Sequence, residues 1–125
     1  MLLDTDILIW YLRGNKNAFS FIEKQHGFYV SVVTYIELVQ GMRNKIELDQ
    51  LRKAFRAWDA TVIYLTEEIS AKAMFLVERF FLSHSLQLAD SLISSTCLVS
   101  SLPLATGNAR HFEMIQHLDI IPFHP

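Results

Sequence analysis

The sequence has few of the residues that cross-link a chain or interrupt its secondary structure: one cysteine, three prolines and four glycines among 125 residues. The single cysteine, Cys97, excludes an intramolecular disulfide, and its small and apolar neighbours predict a packed hydrophobic side chain. No Pro/Gly-rich tract divides the chain, and no apolar run reaches the roughly 20 residues of a membrane-spanning helix. Acidic residues near the start do not fit a secretory signal. We therefore expect one domain over residues 1–125, in the cytoplasm and without a membrane anchor.

An excess of charge of either sign is also missing. The formal net charge is -2 and the pI is about 6.2, which excludes a protein that binds nucleic acid through bulk basic charge. Zinc-type spacing of histidines and cysteine is absent, and so are a P-loop and a G-x-G-x-x-G motif. What the sequence has is hydrophobicity, at 51% of residues, which is enough for a substantial core.

Short apolar segments alternate with helical patterns along the chain. Apolar residues recur at nearly helical spacing within 48–58 and 69–80. Strands that are apolar throughout and alternate with helices are typical of a parallel sheet covered on both faces. We therefore predict an α/β fold, a three-layer α/β/α sandwich with a parallel five-stranded sheet, whose strands cover residues 2–4, 28–33, 62–65, 102–106 and 120–123.

Acidic residues occur where this fold places its chemistry, at the carboxyl ends of the strands near a reversal of strand order. Asp4 ends the first strand, and Glu37 lies one turn into the helix that follows the second. Asp90 is early in the helix before the fourth strand, and a loop containing Asn108 and His111 follows that strand. Because such helices run antiparallel to their strands, all of these residues are expected at one edge of the sheet.

Each acidic residue also has a structural interpretation. Asp6 is placed to N-cap the helix that begins "ILIWYL", and Thr34 with Glu37 fits a capping box. Asp90 suits the first turn of a helix because of the helix dipole, and His111 is equally compatible with a helix start. Asp4 is harder to explain in this way, because a partly desolvated carboxylate at the end of a central strand is costly without a partner.

The acidic residues indicate a function more clearly as a group than singly. Three carboxylates at one edge repel one another, and a divalent cation removes this repulsion. Mg²⁺ or Mn²⁺ prefers hard oxygen ligands and completes its shell with water and substrate phosphates, which suits phosphodiester hydrolysis. We therefore predict that Asp4, Glu37 and Asp90 are metal ligands and catalytic residues. The basic side chains predicted to contact a phosphate backbone are Arg13, Arg43 and Arg110.

Four segments, "LLDTDILIWYLRG", "SVVTYIELVQG", "LQLADSLISSTCL" and "LATGNARHF", together resemble the PIN-domain family, and within it the VapC-type toxins of toxin–antitoxin pairs. None of the segments is diagnostic alone; their order and spacing carry the resemblance over nearly the whole chain. It implies a small α/β/α nuclease, Mg²⁺- or Mn²⁺-dependent endoribonuclease activity on RNA, a homodimer, and an antitoxin partner that blocks the site.

The resemblance also assigns roles to individual residues. The family's first three acids fall on Asp4, Glu37 and Asp90, Asp6 stands at a supporting position, and Thr106 stands where Thr or Ser commonly ends the fourth strand. The chain departs from the family at the fourth acidic position, where it has Asn108 and His111. This departure predicts one firmly bound ion rather than two.

Two alternatives follow from the same residues. "LLDTD" also resembles the D-x-D motif of haloacid-dehalogenase-like phosphatases, with Asp4 as nucleophile and Asp6 as acid/base. No later Gly-Asp pair supports that interpretation, and it leaves Glu37 unexplained. The second alternative is a PIN-like binding module that has lost catalysis. It is suggested by Asn108 and His111, which stand where the family often has an acid.

A helix segment, "AMFLVERFFL" at 73–82, contains more phenylalanine than burial in so small a domain requires. We expect part of this segment to contact a second copy of the chain or an antitoxin segment.

Overall fold

Five parallel strands form the sheet of the computed structural model, which describes residues 1–125. In chain order they are β1 (Leu2–Leu3), β2 (Phe28–Ser31), β3 (Ala60–Ile63), β4 (Leu104–Thr106) and β5 (Ile120–Pro122). Their order across the sheet is β3-β2-β1-β4-β5, and every neighbouring pair is parallel. The predicted parallel five-stranded sheet is confirmed.

Pairs of helices connect the strands from β1 to β4. The helices are α1 (Thr5–Leu12), α2 (Lys16–Glu23), α3 (Val32–Gln40), α4 (Lys45–Ala57), α5 (Glu67–His84) and α6 (Leu88–Ser100). Between β4 and β5 there is only one turn of 3₁₀ helix, η1 (Ala109–His111). Both helices predicted from apolar spacing, at 48–58 and 69–80, are present as α4 and α5.

All five predicted strand ranges differ from the observed bounds by one or two residues, and the second and third strands show why. The second strand ends at Ser31 rather than at residue 33, because the Ser31 hydroxyl accepts a hydrogen bond from the Val33 N–H at 3.1 Å and begins α3. The third strand covers Ala60–Ile63 rather than 62–65, in register with β2. Tyr64 and Leu65, whose apolar character suggested strand, lie beyond the last pair and are exposed.

The two faces of the sheet bury separate apolar clusters. Leu3, Val30 and Ala105 face a cluster that includes residues of α1, α2, α3 and α4. Leu2 and Leu104 face a second cluster with residues of α5, α6 and the segment after η1, and Cys97 is buried there, as predicted for a small hydrophobic side chain. Burial raises the pKa of the Cys97 thiol to about 12, so the thiol stays protonated. The three-layer α/β/α arrangement is thereby confirmed.

Strand order reverses between β1 and β4. The chain lays β2 and β3 on one side of β1 and then returns to place β4 on the other side. In open α/β sheets, ligands bind outside the carboxyl ends of the strands at such a point, so a ligand site is expected beside Asp4 and Thr106. None of the helices combines the length and the hydropathy needed to cross a bilayer.

Candidate active site

Asp4 lies at the centre of the candidate site because β1 ends beside β4. The Asp4 N–H donates to the carbonyl of Ala105 at 2.9 Å, which places its side chain next to Thr106. The Thr106 hydroxyl donates to Asp4 Oδ2 at 2.8 Å, and the Thr5 N–H donates to Oδ1 at 2.8 Å. Asp4 is only 5% exposed. The carboxylate is therefore fixed in position by two donors from different strand ends.

The environment of Asp4 favours its protonated form. Burial and the nearby charge of Asp6 raise its pKa from 3.8 to about 7, Asp90 adds a smaller effect in the same direction, and the hydrogen bonds from Thr106 and Thr5 oppose them. A buried carboxyl with neighbouring acids and a raised pKa is typical of a functional site or a cation site.

Asp6 supports the loop after β4 rather than capping a helix. Its Oδ2 accepts hydrogen bonds from the Gly107 N–H at 2.9 Å and from Asn108 Nδ2 at 3.3 Å. The prediction that Asp6 is the N-cap is wrong: α1 begins at Thr5, so Asp4 is the capping residue. Asp6 Oδ1 is buried without any hydrogen-bond partner, and burial raises the pKa of this carboxyl.

Glu37 is joined to the centre of the site through a threonine. The Thr5 hydroxyl donates to Glu37 Oε1 at 2.8 Å and accepts from the Thr34 hydroxyl at 2.9 Å. The predicted capping box of Thr34 and Glu37 is wrong, because Ser31 is the N-cap and both residues lie inside α3. Their side chains are thereby free to point towards Thr5 and away from their own helix end.

Thr5 is a site residue that sequence reasoning missed. A threonine between two aspartates gives no sign of its partners, because Glu37 is 32 positions away in the chain. The usable signal was its position: a residue directly after the end of a central parallel strand occupies the edge where the acids were expected.

Asp90 lies in the first turn of α6, as predicted, and faces His111. The distance from His111 Nδ1 to Asp90 Oδ2 is 3.4 Å. Burial raises the pKa of Asp90, the charge of His111 acts against this, and the charge of Glu37 acts with it. His111 is the last residue of η1 and not the start of a helix. Electrostatic coupling thus extends from Asp4 to Asp90 and from Asp90 to Glu37.

The four acids are neighbours, yet no three His, Cys, Asp or Glu side chains are close enough to bind one ion directly. None of the four is paired with a Lys or Arg side chain, and the orphaned Asp6 Oδ1 requires a cation or a water. Mg²⁺ characteristically keeps several waters and takes one or two carboxylates from the protein. The oxygen donors present therefore fit a hydrated divalent ion.

The arginines predicted to bind phosphate lie around this site without touching the acids. Arg13 and Arg43 line a groove of about 810 Å³ that Glu37 also lines. The Arg43 side chain is mostly exposed and already paired with Glu47, Nη2 to Oε2 at 2.8 Å. Arg110 is exposed next to His111 in η1.

Comparison with known proteins places this arrangement in a family. The family model described as PIN domain matches residues 1–117. The chain belongs to the PIN domain family. Ribonuclease VapC10 of Mycobacterium tuberculosis is 36% identical, with 94% of this chain and 90% of that protein covered. Ribonuclease VapC1 of Methanocaldococcus jannaschii is 27% identical, with 96% and 84% covered.

Solved structures have the same PIN fold. A toxin–antitoxin complex from Klebsiella pneumoniae contains a chain with a TM-score of 0.75 and 24% identity, covering 96% of this chain and 94% of that one. VapBC2 from Rickettsia felis, bound to a promoter DNA fragment, gives a TM-score of 0.77 at 19% identity, with 98% of both chains covered. At these identities the likeness establishes the fold alone.

Gly107 of this PIN domain allows Asp6 to approach the backbone. A Cβ at residue 107 would lie 2.5 Å from Asp6 Oδ2, so Gly107→Ala must displace this carboxylate. We expect the rate of RNA cleavage to fall about 10- to 100-fold, because small displacements in a site have such effects. The control is Gly41→Ala, where the nearest atom would be 3.4 Å away and φ is -85°. Equal cleavage rates for the two variants would contradict the supporting role of Asp6.

Proposed function

We propose that this PIN domain is a divalent-metal-dependent endoribonuclease and the toxin of a VapBC-type toxin–antitoxin pair. The observation that carries the proposal is the group of acids Asp4, Asp6, Glu37 and Asp90 at the strand-order reversal, without a Lys or Arg partner. The 36% identity to a VapC ribonuclease over most of both chains supports RNA as the substrate. Such an enzyme would act in the cytoplasm, where its RNA substrates are.

Asp4, Glu37 and Asp90 would hold a Mg²⁺ or Mn²⁺ ion, directly or through its waters. When bound, such an ion lowers the pKa of water and stabilises charge on phosphate oxygens. The ion would also offset the repulsion that favours the protonated form of Asp4.

The protein's own groups hold these carboxylates in place. Thr106 and the Thr5 N–H fix Asp4, and the Thr5 hydroxyl fixes Glu37. Glu37 would then orient the attacking water, and Asp90 would approach the site from α6. Asp6 anchors Gly107 and Asn108, so that the loop after β4 keeps its position. Each of these contacts limits motion of an acid that must meet a phosphodiester in one orientation.

Substrate contacts are proposed for the arginines around the acids. Arg13, at the groove beside Glu37, and Arg110, beside His111, flank the site on two sides, and Arg43 would have to leave Glu47 to bind phosphate. An exposed ion pair costs little to break, so the Arg43–Glu47 pair does not prevent this.

An antitoxin that covers the site is the second part of the proposal. Its support is that the Klebsiella pneumoniae and Rickettsia felis neighbours were solved as toxin–antitoxin or VapBC assemblies. Addition of a purified candidate antitoxin should suppress RNA cleavage by the purified toxin.

We also propose a homodimer through the exposed face of α5. Met74, Phe75, Phe81 and Leu82 are 65%, 51%, 47% and 94% exposed, an unusual apolar surface for one helix. Phe81→Asp should shift the sedimentation coefficient from dimer to monomer, whereas Lys53→Asp, a charge change on the exposed face of α4, should not. A monomeric wild-type protein at micromolar concentration would contradict this proposal.

The test of the activity is cleavage-site mapping on total cellular RNA with purified protein. We expect discrete internal cuts with Mn²⁺ or Mg²⁺ and none with EDTA. The catalytically inactive binding module would retain RNA without cutting it in any metal, so this outcome would overturn the proposed activity.

Glu37→Gln separates the nuclease from the haloacid-dehalogenase-like phosphatase. The Gln oxygen can still accept from Thr5, so the fold should be kept while the negative charge is lost. We expect about a 100-fold loss of RNA cleavage, in the range found for proton-transfer groups. In a phosphatase of that class, Glu37→Gln would have almost no effect on activity. Hydrolysis of a phosphate monoester that is unchanged in this variant would therefore favour the phosphatase interpretation. The PIN family match over residues 1–117 already leaves the phosphatase without support.

A further inference from the structure

His111 occupies an unusual place at the candidate site. It is the only basic side chain with a nitrogen within 4 Å of a carboxylate oxygen of any of the four acids. η1 ends with this residue, and the next residue, Phe112, is completely buried. The imidazole is therefore anchored at its backbone while its side chain remains 59% exposed. A ring placed in this way faces both Asp90 and solvent.

Asp90 has unused capacity to bind a ligand. His111 is the only side chain within hydrogen-bond or ion-pair reach of its carboxylate, and the Ser94 hydroxyl bonds to the Asp90 backbone carbonyl instead. No backbone N–H caps this carboxylate either. The side chain is 26% exposed, so one face of the carboxylate remains open to an incoming group.

The separation of Asp90 and His111 fits two neighbouring ligands of one ion. At 3.4 Å, Nδ1 and Oδ2 are too far apart for a strong charge-assisted hydrogen bond, which measures about 2.7–2.9 Å. Two ligands about 2.1 Å from a metal, at a right angle, are about 3 Å apart. A shift of a few tenths of an ångström therefore brings both atoms to one edge of an octahedral shell.

We propose that His111 supplies Nδ1 as a nitrogen ligand to the divalent ion held by Asp90, and that this makes the site prefer Mn²⁺ to Mg²⁺. Imidazole nitrogen binds transition-metal ions well, whereas Mg²⁺ selects oxygen and water. A histidine at this position thus lowers the affinity of the site for Mg²⁺ and raises its affinity for a transition-metal ion. The inference rests on the proposed function, because it assumes that Asp4, Glu37 and Asp90 hold an ion at all.

The experiment uses Mn²⁺ alone with the purified full-length protein, so that no RNA or catalysis is involved. Electron spin echo spectroscopy of bound Mn²⁺ detects directly coordinated nitrogen, and competition with Mg²⁺ measures the preference between the two ions. The variants are His111→Ala, which removes the ligand, and His111→Asp, which replaces nitrogen with oxygen. His26→Ala, at an exposed histidine remote in the chain, is the matched control, and Asp4→Asn reports on the site as a whole.

We expect nitrogen coupling in the wild type and in His26→Ala, and its loss in both His111 variants. The ratio of Mn²⁺ to Mg²⁺ affinity should fall about tenfold in His111→Asp, the size of change that loss of a favourable ligand environment produces. Bound Mn²⁺ without nitrogen coupling, or coupling that persists in His111→Ala, would overturn the inference. If Mn²⁺ binds without nitrogen coupling and Asp4→Asn abolishes this binding, the inference about His111 fails but the proposed function still stands. Absence of Mn²⁺ binding, or binding unaffected by Asp4→Asn, would overturn both.

Discussion

Asp4→Asn is expected to lower RNA cleavage at least about 1,000-fold while the protein stays folded. The change removes one negative charge from the most buried of the four acids, and with it the strongest electrostatic reason for an ion to bind there. Asn has nearly the same shape, so its oxygen can accept from the Thr5 N–H and its amide can donate to Thr106. The measurement is the initial rate of cleavage of a mapped RNA site at saturating Mn²⁺.

Asp119→Asn serves as the control for this experiment, because that residue is exposed in the segment before β5 and lies outside the site. It should cleave at the wild-type rate. Circular dichroism must give the same spectrum for both variants and the wild type. Cleavage by Asp4→Asn within tenfold of the wild-type rate would place the chemistry elsewhere in the molecule.

The metal-free protein is expected to lose stability as pH rises from about 4 to about 7. The pKa of Asp4 is raised from 3.8 to about 7 on folding, chiefly by burial, so folding favours the protonated carboxyl. Its contribution is fully present below the unfolded pKa and is lost as pH rises through the folded pKa, a change of about 4 kcal/mol in the free energy of unfolding. The shifts of Asp6 and Asp90 act in the same direction.

Urea denaturation at pH 4.5 and pH 8 in EDTA, repeated with Asp4→Asn, isolates this effect. The variant cannot ionise at residue 4, so its stability should change much less between the two pH values. Adding Mg²⁺ or Mn²⁺ at pH 8 should restore stability to the wild type and not to the variant, because an ion that binds only the folded state stabilises it. Equal pH dependence in both proteins would contradict the assignment of this buried charge to Asp4.

The architecture and the principal acids could be predicted from the sequence because both follow local patterns. Apolar strands alternating with amphipathic helices indicate a parallel sheet, and an acid directly after a buried strand lies at the carboxyl edge of that sheet. Asp4 and Thr106 were therefore expected at one edge, and the structure pairs them at 2.8 Å.

The errors came from short polar motifs that fit more than one local structure. Thr34 and Glu37 have the spacing of a capping box, yet Ser31 caps α3 because the chain turns one residue after the pairing of β2 with β3 ends. Asp6 has the composition of an N-cap, yet the helix begins one residue earlier and its carboxylate binds Gly107 instead. In both cases a residue earlier in the chain caps the helix, and the side chains of Asp6 and Glu37 bind distant residues that no local pattern records.

The placement of β4 has a consequence for the synthesis of this protein. β4 lies between β1 and β5, and the hydrogen bond from Thr106 to Asp4 joins residues 102 positions apart. A nascent chain that has not yet released residue 106 from the ribosome therefore lacks the hydroxyl that fixes the Asp4 carboxylate. Folding during synthesis can complete this edge of the sheet only after β4 has left the ribosome.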